Sequence, residues 1–176
     1  MSICTNCERA VNETYADYMR SPAELSEAFR ASGLKVTPQR QLLFRLMHDN
    51  DCHPTADALF AEASAQMPGI SLRPVYQTLT DLAAMGELRS LDLGTGATRF
   101  DPNIDDHHHV VCDLCGEVRD VYVSGADGLP VDGLDGFEVR EASILFKGVC
   151  PRCAVGHDMA SPTSTTPINP AKEKLS

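Results

Sequence analysis

Seven cysteines occur in this chain of 176 residues, and six of them form pairs with two residues between the partners. The pairs are Cys4/Cys7, Cys112/Cys115 and Cys150/Cys153, and Cys52 is left over. Two such pairs brought together place four thiolates in a tetrahedron, which is the preferred cage for structural Zn²⁺. We therefore expect a structural zinc on Cys112, Cys115, Cys150 and Cys153, with a redox pair or buried free thiols as the alternative.

A second group of potential ligands offers only nitrogen and oxygen. His107 and His109 stand at alternate positions of a predicted strand, so their side chains share one face and can share one metal ion. Three further donors can reach them: Asp101 and Asp120 from flanking strands, and His53 from a loop far earlier in the chain. Such a mixed set suits Fe²⁺ or Mn²⁺, whereas sensory zinc sites more often include a thiolate. For the histidine run alone, a solvated acidic loop is the alternative interpretation.

The elements that must position these groups begin with four predicted helices. Helix starts are indicated at Ser21-Pro22, Thr37-Pro38, Pro54-Thr55 and Ser71, each followed by an apolar helical repeat. The fourth helix should run from Leu72 to about Met85. Two alternating segments then flank Gly94-Thr95-Gly96, as in a hairpin: Leu88–Leu93 and Ala97–Asp101. Helices followed by a hairpin are typical of a winged helix-turn-helix, in which the fourth helix would read DNA.

The second half of the chain is rich in predicted strands. These are Val110–Val111, Val118–Val123 and Phe137–Phe146. The sequence thus predicts an α+β fold, with an N-terminal winged helix-turn-helix DNA-binding domain and a smaller β-containing domain that carries the four-cysteine zinc site. We place the N-terminal extension at 1–20, the winged helix at 21–101, the second domain at 102–155 and a disordered tail at 156–176. A reduced, chemically silent extension is the simplest interpretation of Cys4 and Cys7, with a further metal or redox site as the alternative.

Charge and hydropathy limit the partners without fixing them. The net charge is −10, but residues 21–90 hold eight acidic and six basic residues, so a local basic patch remains compatible with DNA. Between Asp101 and Glu141 eleven acidic residues face only two basic ones. No apolar run is long enough for a bilayer and no signal peptide is evident, so we expect a cytoplasmic protein without a membrane partner.

Several short motifs occur in a fixed order. They are Val36-Thr37-Pro38-Gln39-Arg40, His53-Pro54-Thr55-Ala56-Asp57, Val75-Tyr76-Gln77-Thr78-Leu79, Arg99-Phe100-Asp101, the stretch from Asp106 to Gly116, and Gly148-Val149-Cys150-Pro151-Arg152-Cys153. With these motifs the sequence resembles the ferric uptake regulator family from roughly Ser21 to Cys153. The resemblance implies a homodimer joined through a small α/β dimerisation domain. It also implies a pseudo-palindromic double-stranded operator and a regulatory metal that bridges the two domains.

The resemblance also implies which metal signal is sensed. The peroxide-sensing branch uses three histidines and two aspartates, which match His53, Asp101, His107, His109 and Asp120. Iron-uptake regulators usually carry Glu at the position of Asp120, and zinc-uptake regulators usually carry Cys at that of Asp101. The implied mechanism is reaction of bound Fe²⁺ with H₂O₂, oxidation of His53 or His107 and release of DNA, with the Mn²⁺ form insensitive. An iron- or manganese-responsive uptake regulator, and after it a zinc uptake regulator, are the alternatives.

Family position further implies the DNA contacts. Lys35 would enter the minor groove and Arg40 would contact the backbone, while the fourth helix would present a set of side chains to the major groove: Arg73, Tyr76, Gln77 and Thr78. Two other classes compete. A facial-triad iron oxygenase would also use two histidines and a carboxylate, but no barrel-length run of strands is present, and we expect no enzyme. A zinc-ribbon interaction module without DNA binding is the second rival.

Overall fold

The computed structural model describes residues 19–48, 50, 52–94, 96–140 and 142–156. The helices are α1 (Pro22–Ala31), α2 (Pro38–His48), α3 (Ala56–Gln66), α4 (Leu72–Ala84) and α5 (Pro151–Gly156), with a 3-10 turn at Ala126–Gly128. The strands are β1 (Arg89–Leu91), β2 (Arg99–Asp101), β3 (His108–Cys112), β4 (Val118–Val121) and β5 (Leu145–Gly148). This is the expected α+β fold. Cys4, Cys7 and the expected tail lie outside the described residues.

The helix starts follow from local hydrogen bonding. Ser21 caps α1 in a capping box, because its hydroxyl accepts from the Glu24 N–H while the Glu24 carboxylate accepts from the Ser21 N–H at 2.9 Å. The Thr55 hydroxyl caps α3 by accepting from the Ala58 N–H at 3.1 Å. Ser71 stands at the N-cap of α4, but its side chain makes no capping bond within the described part of the chain. The expected cap at Ser71 is therefore correct in position and wrong in mechanism.

The first four helices surround one apolar core. At its centre the rings of Phe29 and Phe44, both fully buried, meet edge to face with centroids 4.8 Å apart. The other fully buried members come from every helix and include Leu25, Leu43, Met47, Leu59, Val75, Leu79 and Leu82. Within the described ranges, no helix combines the length and apolar character needed to cross a membrane.

The hairpin after α4 connects the helical core to the second sheet. β1 and β2 pair antiparallel, with Arg89 opposite Asp101, and both are shorter than the sequence predicts. Leu93, just after β1, packs with Val111 and Val118 of the second sheet in a small separate apolar cluster. This packing holds the turn end of the hairpin beside the second sheet.

The second sheet has the strand order β4-β3-β5, with β3 antiparallel to β4 and parallel to β5. His109 on β3 faces Asp120 on β4 and Leu145 on β5. The predicted strand Phe137–Phe146 is wrong over most of its length, since β5 begins only at Leu145. The reason is the register: β3 starts at His108, so the described residues 137–140, 142 and 143 have no β3 backbone beside them to pair with.

The helical core yields a stability prediction. Replacing Phe29 by Ala should lower the free energy of unfolding by about 3–5 kcal/mol, because a buried ring is lost and a cavity remains. Glu27→Ala, on an exposed position of the same helix, is the matched control and should change it by less than about 0.5 kcal/mol. Denaturant unfolding of both variants measures the difference, and a cost for Phe29→Ala no larger than the control would contradict this account of the core.

Candidate metal centres

Four cysteines converge where the second sheet ends. Cys112 closes β3 and Cys115 follows in a turn that Gly116 completes with a φ of +70°. Cys150 and Cys153 lie at the start of α5. The four sulfurs lie within 4.8 Å of one another, and those of Cys115 and Cys150 are 3.7 Å apart. A tetrahedron with Zn–S bonds of about 2.3 Å has sulfurs about 3.8 Å apart, so the cluster has the size that Zn²⁺ needs.

The surroundings of the sulfurs favour a thiolate at Cys112 and a neutral thiol at Cys153. The backbone N–H of Cys150 donates to the Cys112 sulfur at 3.3 Å, and such backbone donors lower the pKa of Cys112 to about 6. Contacts with the Cys150 and Cys115 thiols raise the pKa of Cys153 to about 12. Four adjacent sulfurs cannot all be negative without a cation to balance them. The donor set therefore fits a divalent ion, as the spacing of the cysteines predicts.

A second cluster gathers side chains from distant parts of the chain. Its members come from the loop before α3, the end of β2, the start of β3 and the paired strand β4. They are His53, Asp101, His107, His109 and Asp120, and their donor atoms all lie within 4.8 Å of one another. The structure thus brings together every nitrogen and oxygen ligand that the sequence predicts, and it adds no sulfur to the cluster.

Individual distances show that the donors point at a common centre. Nε2 of His107 lies 3.0 Å from Nε2 of His109 and 2.9 Å from Oδ2 of Asp101. On the other side, Nε2 of His53 is 2.7 Å from Oδ1 of Asp120 and 3.4 Å from Oδ1 of Asp101. Three imidazole nitrogens and two carboxylates thus face one small buried volume, which is the arrangement of a polydentate metal site.

Two further observations test whether a cation fits. Nε2 of His53 and Oδ1 of Asp120 are buried, and neither has a hydrogen-bond partner of acceptable geometry among the described residues. Buried polar atoms are costly unless satisfied, so a cation between them would resolve both. In addition, Nδ1 of His107 lies 2.8 Å from the Asp105 carbonyl. A proton on Nδ1 donates there and leaves the Nε2 lone pair directed into the cluster.

Electrostatics show how the metal-free cluster balances its charge. Burial lowers the pKa of His53, but the close carboxylates of Asp101 and Asp120 outweigh it and raise that pKa to about 9. For Asp101, burial raises the pKa, yet contacts with His107, His109 and His53 hold it well below the usual range. A proton on His53 therefore substitutes for the cation when no metal is bound.

Backbone contacts position His53 for this role. Its φ of 46° lies in the left-handed region, which is unusual for a residue other than glycine. The guanidinium of Arg99 donates to the His53 carbonyl at 3.1 Å and to the Gly116 carbonyl at 2.7 Å. The Phe100 N–H also donates to the Pro54 carbonyl at 3.0 Å. Arg99 thereby connects the loop that carries His53 to the turn at Gly116 beside the cysteine cluster.

The middle histidine of the run has a different environment. Nδ1 of His108 accepts from the Ile144 N–H at 3.3 Å, on the β5 side of the sheet. The alternation of strand side chains thus separates His108 from His107 and His109, as expected.

The residues expected to contact DNA fall into two groups. Lys35, Arg73 and Gln77 are exposed and line one depression between the start of α2 and α4. Tyr76 is 44% exposed, and its hydroxyl donates to Asp57 at 3.3 Å. The other two residues are less exposed: Arg40 is half-buried and Thr78 is buried.

Two of the residues expected to contact DNA are less exposed than the others. Thr78 is buried and its hydroxyl donates to the Pro74 carbonyl at 2.7 Å, so the expectation that it faces the major groove is not met. The Arg40 guanidinium pairs with Asp81, donates to the Lys35 carbonyl at 2.8 Å and lies over the Phe29 ring. Arg40 thus connects α2 to α4, and its guanidinium is largely committed to internal contacts.

Comparison with known proteins decides the family. The sequence model of the ferric uptake regulator family matches residues 31–146. The chain belongs to the ferric uptake regulator family. It is 31% identical over 135 residues to the peroxide-responsive repressor PerR of Staphylococcus epidermidis, which covers 74% of this chain and 90% of that protein. It is also 29% identical over 133 residues to the peroxide operon regulator of Bacillus subtilis, covering 74% of this chain and 92% of that regulator.

Solved structures agree on the fold of this ferric uptake regulator homologue. The ferric uptake regulator of Helicobacter pylori superposes with a TM-score of 0.64 and 14% identity, over 79% of this chain and 97% of that chain. At this identity the similarity concerns the fold alone. The relatives compared by sequence are named as a repressor and an operon regulator, and the family places this chain among metal-responsive repressors.

Sequence reasoning missed two residues at the regulatory cluster. Arg99 was noted only as part of a motif, and Asn103 was not noted at all. The Asn103 amide donates to Asp120 at 2.8 Å and to the Tyr122 hydroxyl at 3.0 Å. Its position between two ligand-bearing strands is the one available signal, since a single buried amide leaves no periodic pattern in a sequence.

The raised pKa of His53 predicts a pH dependence. In the metal-free chain the extra stability from protonated His53 is fully present below the unfolded pKa of about 6.5 and is lost as pH rises through about 9. Because a cation must displace that proton, Mn²⁺ affinity should rise between pH 6.5 and 8.5, by up to about tenfold per unit. Calorimetric titration at constant ionic strength measures it, and an affinity independent of pH would contradict the proton–metal competition.

Proposed function

We propose that this protein is a metal-dependent transcriptional repressor that senses hydrogen peroxide through Fe²⁺ held by His53, Asp101, His107, His109 and Asp120. The observation that carries the proposal is the convergence of five nitrogen and oxygen donors, without sulfur, from both halves of the chain. Zn²⁺ on Cys112, Cys115, Cys150 and Cys153 has a structural role in this proposal. The names of the relatives, both peroxide regulators, support the choice of signal.

The ligands themselves provide a route from metal binding to DNA binding. His53 belongs to the loop before α3, while His107, His109 and Asp120 belong to the second sheet. A cation that contacts all of them favours the arrangement in which the helical part and the sheet are held together. By linkage, a metal that binds this arrangement more tightly than others shifts the population toward it. If that arrangement is the one that fits the operator, metal and DNA bind cooperatively.

The proposed DNA-binding surface lies on α4 and the start of α2. Lys35 and Arg73 provide exposed positive charge, and Gln77 and Tyr76 provide exposed polar groups. Gln can pair with adenine in the major groove, and Tyr can contact a thymine methyl or a phosphate. Arg40 and Thr78 support this surface from within, by holding α2 against α4 and by satisfying the α4 backbone.

A homodimer is part of the proposal. Several apolar side chains of the second half are exposed in the single chain: Leu129, Val131, Phe137, Val139, Phe146 and Val149. An exposed apolar set of this size marks an interaction surface. A two-fold dimer through it would present two copies of α4 to a pseudo-palindromic operator. The sequence boundaries at 21–101 and 102–155 remain our proposal for the DNA-binding and dimerisation domains, and we place the repressor with the chromosome in the cytoplasm.

Release of DNA would follow oxidation of a ligand. When bound, Fe²⁺ supplies the redox chemistry, because it can reduce H₂O₂ whereas Zn²⁺ cannot. The net change adds one oxygen of the peroxide to an imidazole ring and releases the other as water, so the ring loses two electrons and the peroxide gains two. His53 and His107 are the expected targets. This choice rests on the family positions that the two histidines match.

A gel-shift experiment tests the proposal directly. The full chain loaded with zinc should bind operator DNA when Mn²⁺ or Fe²⁺ is added, and H₂O₂ should abolish binding of the iron form only. Mass spectrometry of the treated iron form should then find one added oxygen on a peptide that contains His53 or His107. Binding that resists peroxide in both forms would favour an iron- or manganese-responsive uptake regulator, and oxidation confined to cysteine would indicate a thiol switch.

The length of one ligand provides a second test. Asp120→Glu should keep metal-dependent DNA binding, because the carboxylate remains, but the longer side chain should alter how it meets the cation and slow the response to H₂O₂. The measurement is the peroxide concentration that releases half of the DNA from the iron form. Equal sensitivity of the variant and the wild-type chain would count against assignment to a peroxide sensor. Glu117→Asp, at a carboxylate on the cysteine side of the sheet, is the control.

A further inference from the structure

One buried asparagine contacts both carboxylate ligands of the regulatory cluster, through its backbone and through its side chain. Asn103 lies in the segment between β2 and β3 and is 3% exposed. Its backbone N–H donates to Oδ1 of Asp101 at 2.8 Å. Its side-chain Nδ2 donates to Oδ2 of Asp120 at 2.8 Å. A single residue thus reaches a ligand on β2 and a ligand on β4, which are separated along the chain by the whole of β3.

The same side chain also orders the approach to a histidine ligand. Oδ1 of Asn103 accepts from the Asp105 N–H at 3.2 Å, and the Asp105 carbonyl lies 2.8 Å from Nδ1 of His107. These bonds also fix the orientation of the amide, because its oxygen faces an N–H and its nitrogen faces a carboxylate and a hydroxyl. Turning the amide over would set its oxygen against the Asp120 carboxylate.

We propose that Asn103 is a positioning residue that holds Asp120 so that it offers only Oδ1 to the regulatory cation. The two oxygens of Asp120 have different surroundings. Oδ2 is bonded to Asn103, while Oδ1 is 2.7 Å from Nε2 of His53 and has no hydrogen-bond partner of its own among the described residues. The bond to Asn103 uses one lone pair of Oδ2 and fixes the carboxylate with Oδ1 toward the cluster, which favours binding of the cation through one oxygen over binding through both.

This inference rests on the proposed function and adds a reason why the bound cation would be accessible to peroxide. A carboxylate restricted to one oxygen occupies one coordination position instead of two, which leaves room at the cation for a small oxidant. Tyr122 has a lesser part. Its hydroxyl is 3.0 Å from Nδ2 of Asn103, and its side chain is 44% exposed, so it supports the amide from the solvent side.

The test uses Mn²⁺ as the probe, on the full-length zinc-loaded chain, without DNA or peroxide. Asn103→Leu removes the amide at similar volume and keeps the backbone bond to Asp101. We expect its Mn²⁺ dissociation constant to rise about tenfold or more, as for other residues that orient metal ligands. We also expect its Mn²⁺ electron paramagnetic resonance spectrum to differ from that of the wild-type chain, because Oδ2 is released. Gln66→Leu, which removes an exposed amide at the end of α3, is the matched control and should retain the wild-type spectrum and affinity.

Zinc content and thermal midpoint of the zinc-loaded, manganese-free forms establish that each variant is folded, and Asn103→Ala is measured in the same way should the leucine variant not fold. A wild-type spectrum and affinity in the Asn103 variants would overturn the inference, and so would an equal change in Gln66→Leu. Failure of this inference can be distinguished from failure of the proposed function. A wild-type chain that binds no Mn²⁺ removes both claims, whereas one that binds Mn²⁺ but ignores peroxide removes only the sensing.

Discussion

The structure depends on one electrostatic constraint, which is that the buried carboxylates of Asp101 and Asp120 must be balanced by positive charge. Among the described residues, the groups able to carry positive charge that contact them are imidazoles, and in the metal-free chain a proton on His53 supplies that charge. A divalent cation can replace the proton and bond to all five ligands at once. Because His53 lies before α3 and the others lie at or beyond the end of β2, whatever occupies the cluster also determines how the two parts of the chain are held together.

The scaffold around the cluster reduces the freedom of the ligands before any metal binds. Arg99 fixes the carbonyl of His53 and that of Gly116 with one guanidinium, so the histidine loop and the cysteine turn are placed by the same side chain. The apolar contact of Leu93 with Val111 and Val118 holds the hairpin to the second sheet. The proposed structural zinc therefore has a role beyond stability, since it stiffens the turn on which Arg99 rests.

Much of this architecture follows from local sequence signals. The four helix starts, the C-x-x-C pairs and the five donors of the regulatory cluster have strong local causes, namely capping residues, ligand spacing and strand alternation. Two predictions were wrong because their outcome depends on packing between distant parts of the chain. The strand predicted at Phe137–Phe146 failed because its pairing depends on where β3 begins, which is a non-local fact. Thr78 was expected at the DNA surface, but the rotation of α4 against the core directs it inward.

The contacts of Asn103 and Arg99 could not be inferred in the same way. Each is a single polar residue whose importance lies in partners 17 or more positions away along the chain, and neither belongs to a ligand pattern. Their roles become visible only when the strands are placed side by side. This is a general property of residues that orient metal ligands, because their requirement is geometric and many residue types can meet it in other frameworks.

The most direct test of the central claim is anomalous diffraction at the manganese edge from crystals of the Mn²⁺-loaded protein. The account predicts a peak about 2.0–2.3 Å from donor atoms of all five residues, including Nε2 of His53. A peak held only by the ligands at or beyond the end of β2, with His53 turned away, would contradict it. So would a manganese ion completed by a cysteine sulfur.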